Sequence, residues 1–135
     1  MAGRLLLSGW SAGGHLTAMA LGHPRVAAGL AISGIFELGP LWDTFLNERL
    51  RLTDAEIATL SPLRLPPVPQ PLAIAYGTAE LPPLVNDSGA LRAHRSRSHA
   101  PGALLPVPSA NHFTVVHELA RAEGAITRIA LSMLP

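Results

Sequence analysis

Residues 5–21 read Leu-Leu-Leu-Ser-Gly-Trp-Ser-Ala-Gly-Gly-His-Leu-Thr-Ala-Met-Ala-Leu. The opening apolar run suits a buried strand, Gly9-Trp10-Ser11-Ala12-Gly13 suits a turn, and the Ala/Leu/Met-rich remainder suits a helix. A G-x-S-x-G between strand and helix is a turn so tight that the residues flanking the serine, here Gly9 and Gly13, must be small. It leaves the serine hydroxyl exposed above the sheet. Ser11 is therefore the candidate nucleophile. The plainer alternative is a glycine-rich turn in which Ser11 merely caps the following helix.

Outward from this stretch, the helix is predicted over 12–21, stopped by Gly22 and Pro24, with Leu16, Met19 and Ala20 as its packing positions. A second apolar run over 26–33, closed by Gly34, predicts a parallel strand returning beside the first. Residues 36–71 lack a strong strand signal and read as a helical, proline-rich insertion. Within it Thr53-Asp54-Ala55-Glu56 is a capping box, and the prolines at 62, 66, 67, 69 and 71 make a stiff connector or a lid over a site. A third strand is expected over 71–76. A helix over 88–99 follows, capped by Asn86, Asp87 or Ser88, then a fourth strand over 103–107 and a last helix over 113–133. The fold class is α/β, with about four parallel strands and flanking helices in one domain over residues 1–135.

With 135 residues the chain is long enough for one sizeable core and short for two. Hydrophobic residues at 48% and charged residues at 14% argue against disorder and leave apolar surface that expects a covering partner. The net charge is +1, and all basic charge is arginine. The one short cluster, Arg92, Arg95 and Arg97, lacks interleaved aromatics, so it is read as a solvated helix face and nucleic acid is not expected as a partner. Cysteine is absent, which excludes disulfides and thiolate chemistry. No apolar run reaches the roughly 18 residues that span a bilayer and no leader opens the chain, so no membrane association and a cytoplasmic location are expected. Met1-Ala2-Gly3-Arg4 leads almost directly into the first strand, as though the chain began within a larger sheet.

In open α/β sheets, functional groups gather beyond the carboxyl ends of the strands. There Ser11 follows the first strand, Glu80 the third and His112 the fourth. A serine hydroxyl needs a base to take its proton, which suits His112. The base needs an acid to orient it, which suits Glu80, with Asp87 as competitor for that role. The amide of Ala12, next to the nucleophile, would donate to an oxyanion. His15 reads as a packing or hydrogen-bonding residue in the first helix, His23 as part of a turn, His94 and His99 as solvated, and His117 as remote within the last helix. No histidine pair has a carboxylate at ligand spacing, so neither a metal nor a cofactor is expected.

Taken together, Gly9-Trp10-Ser11-Ala12-Gly13-Gly14-His15-Leu16, Ser33-Gly34-Ile35-Phe36-Glu37-Leu38, Tyr76-Gly77-Thr78-Ala79-Glu80-Leu81-Pro82 and Asn111-His112-Phe113 resemble the α/β-hydrolases, within them the esterase branch that includes kynurenine formamidase (arylformamidase). The resemblance implies Ser11 as nucleophile, Glu80 as acid and His112 as base, acting on a small ester or formamide. Formamidases often carry His where Trp10 stands and Asp where Glu80 stands. The family's upstream His-Gly-Gly-type loop, source of a second oxyanion donor, has no match here, so the chain looks like a carboxyl half, weakly active or inactive alone. An exposed first strand makes a homo-oligomer plausible. The alternatives are a carboxylesterase similar to hormone-sensitive lipase and a non-catalytic half-domain.

Overall fold

The computed structural model describes residues 3–135. Met1 and Ala2 of the expected lead-in lie outside the described residues. Strands β1 (Leu5–Trp10), β2 (Val26–Ile32), β3 (Leu72–Gly77) and β4 (Leu104–Val107) form one sheet in that order, each parallel to the next. The helices are α1 (Ala12–Ala20), α2 (Phe45–Leu50), α3 (Asp54–Leu60), α4 (Pro82–Arg97) and α5 (Ala125–Ser132). This is the α/β architecture of about four parallel strands with flanking helices expected from the sequence.

Side chains alternate across a strand, and the two central strands split their apolar residues accordingly. Leu30, Ile32, Ala73 and Ala75 pack with Val107, Val115 and Ile126 on one face; Ala31, Leu72 and Ile74 pack with Leu21, Phe36 and Leu91 on the other. Both faces are covered, which is why the strands read as continuous apolar runs. Each buried Leu or Ile contributes roughly 1.5–3 kcal/mol, and β2 and β3 are the strands buried along nearly their whole length. Leu5 of β1 and Leu104 of β4 remain 47% and 36% exposed. Among the described residues β1 pairs only with β2, leaving its outer side an edge.

Several local expectations are corrected. Leu16 is 63% exposed, and α1 instead lays Gly14 and Thr17 on the sheet, with Leu21 just beyond its end. The phase of the helix is set by the turn that starts it, because a Cβ on Gly14 would stand 2.9 Å from the Gly34 Cα. Helix α4 begins at Pro82, six residues early, with prolines in its first turn where a missing N–H costs nothing. Asp87 is therefore interior to α4 and not a cap. Its Oδ2 accepts from the Phe36 and Glu37 amides, fastening the inserted segment to the helix. The last helix is broken in two. A 3-10 helix over Thr114–Ala120 is followed by an extended Arg121, and α5 starts after Gly124. Glu118 makes the corner: its Oε2 accepts from the Ala125 amide at 2.6 Å and its carbonyl from Thr127 Oγ1 at 2.8 Å. The bend brings Val115 and Ile126 into the same core. Arg95 is not solvated but 4% exposed, donating to the Gln70 and Pro101 carbonyls at 2.7 and 3.2 Å.

Residues 36–71 contain α2, α3 and 3-10 turns at Gly39–Leu41 and Pro62–Arg64. The capping box is formed, Thr53 N donating to Glu56 Oε2 at 2.8 Å and Glu56 N to Thr53 Oγ1 at 3.2 Å. His15, on α1, lies with Nε2 2.7 Å from the Leu60 carbonyl and ties the end of α3 beside the first turn of α1.

Candidate active site

Ser11 has φ 57° and ψ −118°, a conformation outside the ordinary regions for a side-chain-bearing residue. Such strain costs of order 1–3 kcal/mol and persists only where neighbours over-determine it. Here the Ser11 N–H donates to the Ile32 carbonyl at 2.9 Å, while the strand and helix around it approach too closely for side chains. A Cβ on Gly9 would lie 2.2 Å from the Gly13 carbonyl oxygen. The expectation that Gly13 must also be small is not met: a Cβ there would meet nothing within 4 Å, and the tight position is Gly14. Ala12 opens α1, so its N–H is among those with no intrahelical acceptor, at the positive end of the helix.

His112 reaches this serine from the loop after β4, its Nε2 3.0 Å from Ser11 Oγ. Asn111 shapes that loop by accepting from the Phe113 and Thr114 amides, both at 2.9 Å. The acid loop after β3 is laced to it. Ala79 N donates to the Ala110 carbonyl at 2.9 Å, Thr78 N to the Val107 carbonyl at 3.0 Å, and Ser109 N to Thr78 Oγ1 at 2.8 Å.

Glu80, its side chain 0% exposed, places Oε1 3.7 Å from His112 Nδ1. That is beyond hydrogen-bonding distance. The same oxygen accepts a short hydrogen bond from Ser33 Oγ. His112 Nδ1 and Glu80 Oε2 are buried and make no hydrogen bond among the described residues. Thus Ser11 and His112 are in contact, and Glu80 stands just behind them. Asp87 is engaged elsewhere, with the Phe36 and Glu37 amides; burial pushes its carboxyl above the ordinary value. His94 is half-buried against the Leu65 carbonyl at 2.8 Å, not solvated as expected. No cluster of three His, Cys, Asp or Glu side chains that could hold a metal occurs among the described residues. No helix among them is long and apolar enough to cross a membrane.

Two residues at the site escaped the reading by residue type. Ser33, φ 48°, sits where β2 ends and was visible only as part of a family-like stretch. Trp10 is the variable residue of the G-x-S-x-G. Its indole Nε1 donates to the His112 carbonyl at 2.8 Å, and its ring lies 5.1 Å from the imidazole and 6.0 Å from Phe113. Its signal was the departure from the histidine usual at that position in formamidases.

No family model matches the chain. It is similar to kynurenine formamidase of Salmo salar, 30% identical over 96% of this chain, and to that of Danio rerio, 26% identical over 96%. The chain spans about half the length of these curated relatives, 49% of each. Among solved structures, a candidate thioesterase from Silicibacter sp. superposes with a TM-score of 0.85 at 24% identity over 97% of this chain and 52% of that one. An esterase/lipase from an uncultured bacterium superposes at 0.72 and 25% identity over 96% and 52%.

Proposed function

From a chain with the α/β-hydrolase fold, similar to kynurenine formamidases along nearly its whole length, we propose the nucleophile-bearing half of a serine hydrolase. Its substrates are small carboxylic esters or N-formyl amides. The observation that carries this reading is the contact of Ser11 Oγ with His112 Nε2 at 3.0 Å, made by a serine in a strained backbone conformation.

In this reading the Ser11 hydroxyl donates to His112 Nε2 and attacks the substrate carbonyl carbon as its proton passes to the imidazole. The carbonyl oxygen becomes an oxyanion facing the Ala12 amide. Collapse breaks the bond to the alcohol or amine, which leaves with the proton from His112. Water then hydrolyses the acyl-Ser11 by the same steps. The imidazolium draws Glu80 Oε1 in across the 3.7 Å that separates it from Nδ1, since catalytic hydrogen bonds often tighten only in the reacting complex. Residues 36–71 act as a cover for the substrate side, tied to α1 through His15.

The chain spans about half the length of the relatives it matches. Turnover depends on every oxyanion donor, each typically worth about 10²–10³ in kcat, whereas labelling reads the Ser11–His112 pair directly. A reactive probe is therefore a fitter assay than turnover. Intact-mass analysis after fluorophosphonate treatment is expected to show one adduct on the protein and none on Ser11→Ala or His112→Ala. An unlabelled protein, or labelling that survives Ser11→Ala, overturns the reading.

A further inference from the structure

We propose that Trp10 is a positioning residue for His112, anchoring the loop after β4 to the strand that carries the nucleophile. The proposal rests on the serine-hydrolase reading above and adds to it the means by which His112 is held. His112 is poorly held from the side where an acid would orient it. Glu80 Oε1 is 3.7 Å from Nδ1 and already accepts from Ser33. Imidazole orientation must then come from elsewhere, and Trp10 supplies two independent contacts. Its Nε1–H donates to the backbone carbonyl of His112 at 2.8 Å, across 102 positions of sequence. Its ring lies 5.1 Å from the imidazole at a 35° tilt, while Phe113 closes the third side, 5.4 Å from the imidazole and edge-on to it.

The placement of Trp10 fixes the base of this support in the sheet, although the residue is 38% exposed. It is the last residue of β1, paired with Ile32, and is followed at once by the strained Ser11. The nucleophile and the anchor of its base are thus adjacent on one backbone, which ties Ser11 to His112 by a route separate from the hydrogen bonds that lace the His112 loop to the loop after β3. A residue with a ring but no donor keeps half of this arrangement, and an aliphatic residue keeps none.

Two measurements test it. The first is the rate of labelling by a small fluorophosphonate, compared with thermal unfolding. Trp10→Phe is expected to slow labelling about 3- to 10-fold, the share of one hydrogen bond. Trp10→Leu is expected to slow it about 10²-fold, as small misplacements of a reacting group do, with both variants still folded. The second is the two-bond ¹H–¹⁵N spectrum of the histidine rings, which needs no reactivity. His112 is expected to show one fixed tautomer in the protein and in Trp10→Phe, and ring signals averaged towards those of exposed His99 in Trp10→Leu. Unchanged His112 signals in folded Trp10→Leu overturn the proposal whether or not Ser11 reacts. Labelling that is lost from the protein itself, with His112 signals shifting as described, overturns the hydrolase reading and leaves the anchoring role standing.

Discussion

Ser11 and Glu80, on opposite nitrogens of the His112 ring, are held in place by different kinds of structure. On the Ser11 side the geometry is enforced by backbone: a glycine-only approach at Gly9 and Gly14, a strained φ, and an amide bonded to Ile32. On the Glu80 side the loop is just as closely laced by backbone, a Cβ on Gly77 standing 2.1 Å from the Ala110 carbonyl oxygen. The last contact to the imidazole, however, is left to side chains, since the buried carboxylate lies between Ser33 and His112 and satisfies only the former at full hydrogen-bonding distance. Backbone packing leaves one solution, whereas a shared carboxylate oxygen leaves several. The elbow should therefore break under small changes that the acid side absorbs.

The sharpest way to break this contrast lies within the elbow. Gly9→Ala places a methyl 2.2 Å from the Gly13 carbonyl oxygen, and overpacking against backbone is expected to cost at least about 3 kcal/mol. Gly13→Ala has open space and sits in a helix, so it should gain roughly 0.5–1 kcal/mol. Denaturant midpoints of the two variants measure both, and equal destabilisation would refute the assignment of the tight contact to Gly9. On the acid side, Ser33→Ala removes a hydrogen bond to a buried carboxylate, worth about 1.5–3 kcal/mol. Its labelling by a fluorophosphonate should survive, because Glu80 is then free to serve His112 alone. A Ser33→Ala protein that is as stable as its parent would mean the Ser33–Glu80 bond contributes nothing.

The smallest effect concerns the inserted segment. Burial pushes the Glu37 carboxyl up, but hydrogen bonds from Arg64 and the Gly39 amide outweigh it and hold the group below its ordinary value of 4.5. A depressed carboxylate stabilises the fold above that ordinary value and loses its contribution as pH falls through the depressed one. Arg64→Met should therefore lower the thermal midpoint slightly near neutral pH, and the difference should close as the solution is acidified well below 4.5. A gap that persists there would point to lost packing of the arginine stem instead.

Much of this was legible in the residues. Apolar runs beside glycine mark all four strands; in β2 and β3 burial on both faces removes the polar alternation that would blur them, while β1 and β4 are apolar edges with exposed positions. The loops bearing Ser11, Glu80 and His112 follow β1, β3 and β4, and those loops converge. What stayed hidden depends on contacts distant in sequence. Asp87 resembles a helix cap, yet Pro82 and Pro83 start the helix earlier and turn the aspartate towards Phe36. Leu16 fits a helical stripe, but the facing side of α1 is chosen by the contact of Gly14 with Gly34. The break at Gly124 answers to Glu118, and the work of Trp10 and Ser33 answers to loops far along the chain.

The order of the strands carries a consequence for how the molecule assembles. Each strand's partner is the next one in sequence, so the sheet can grow in one direction as the chain emerges, from β1 towards β4. The long connection between Ile32 and Leu72 is a modest obstacle, since doubling a loop adds only about 0.6 kcal/mol to its closure. The first strand–helix–strand unit, with its glycine-only elbow, is complete before Glu80 or His112 has been synthesised. The serine waits in its strained turn, and the histidine arrives last.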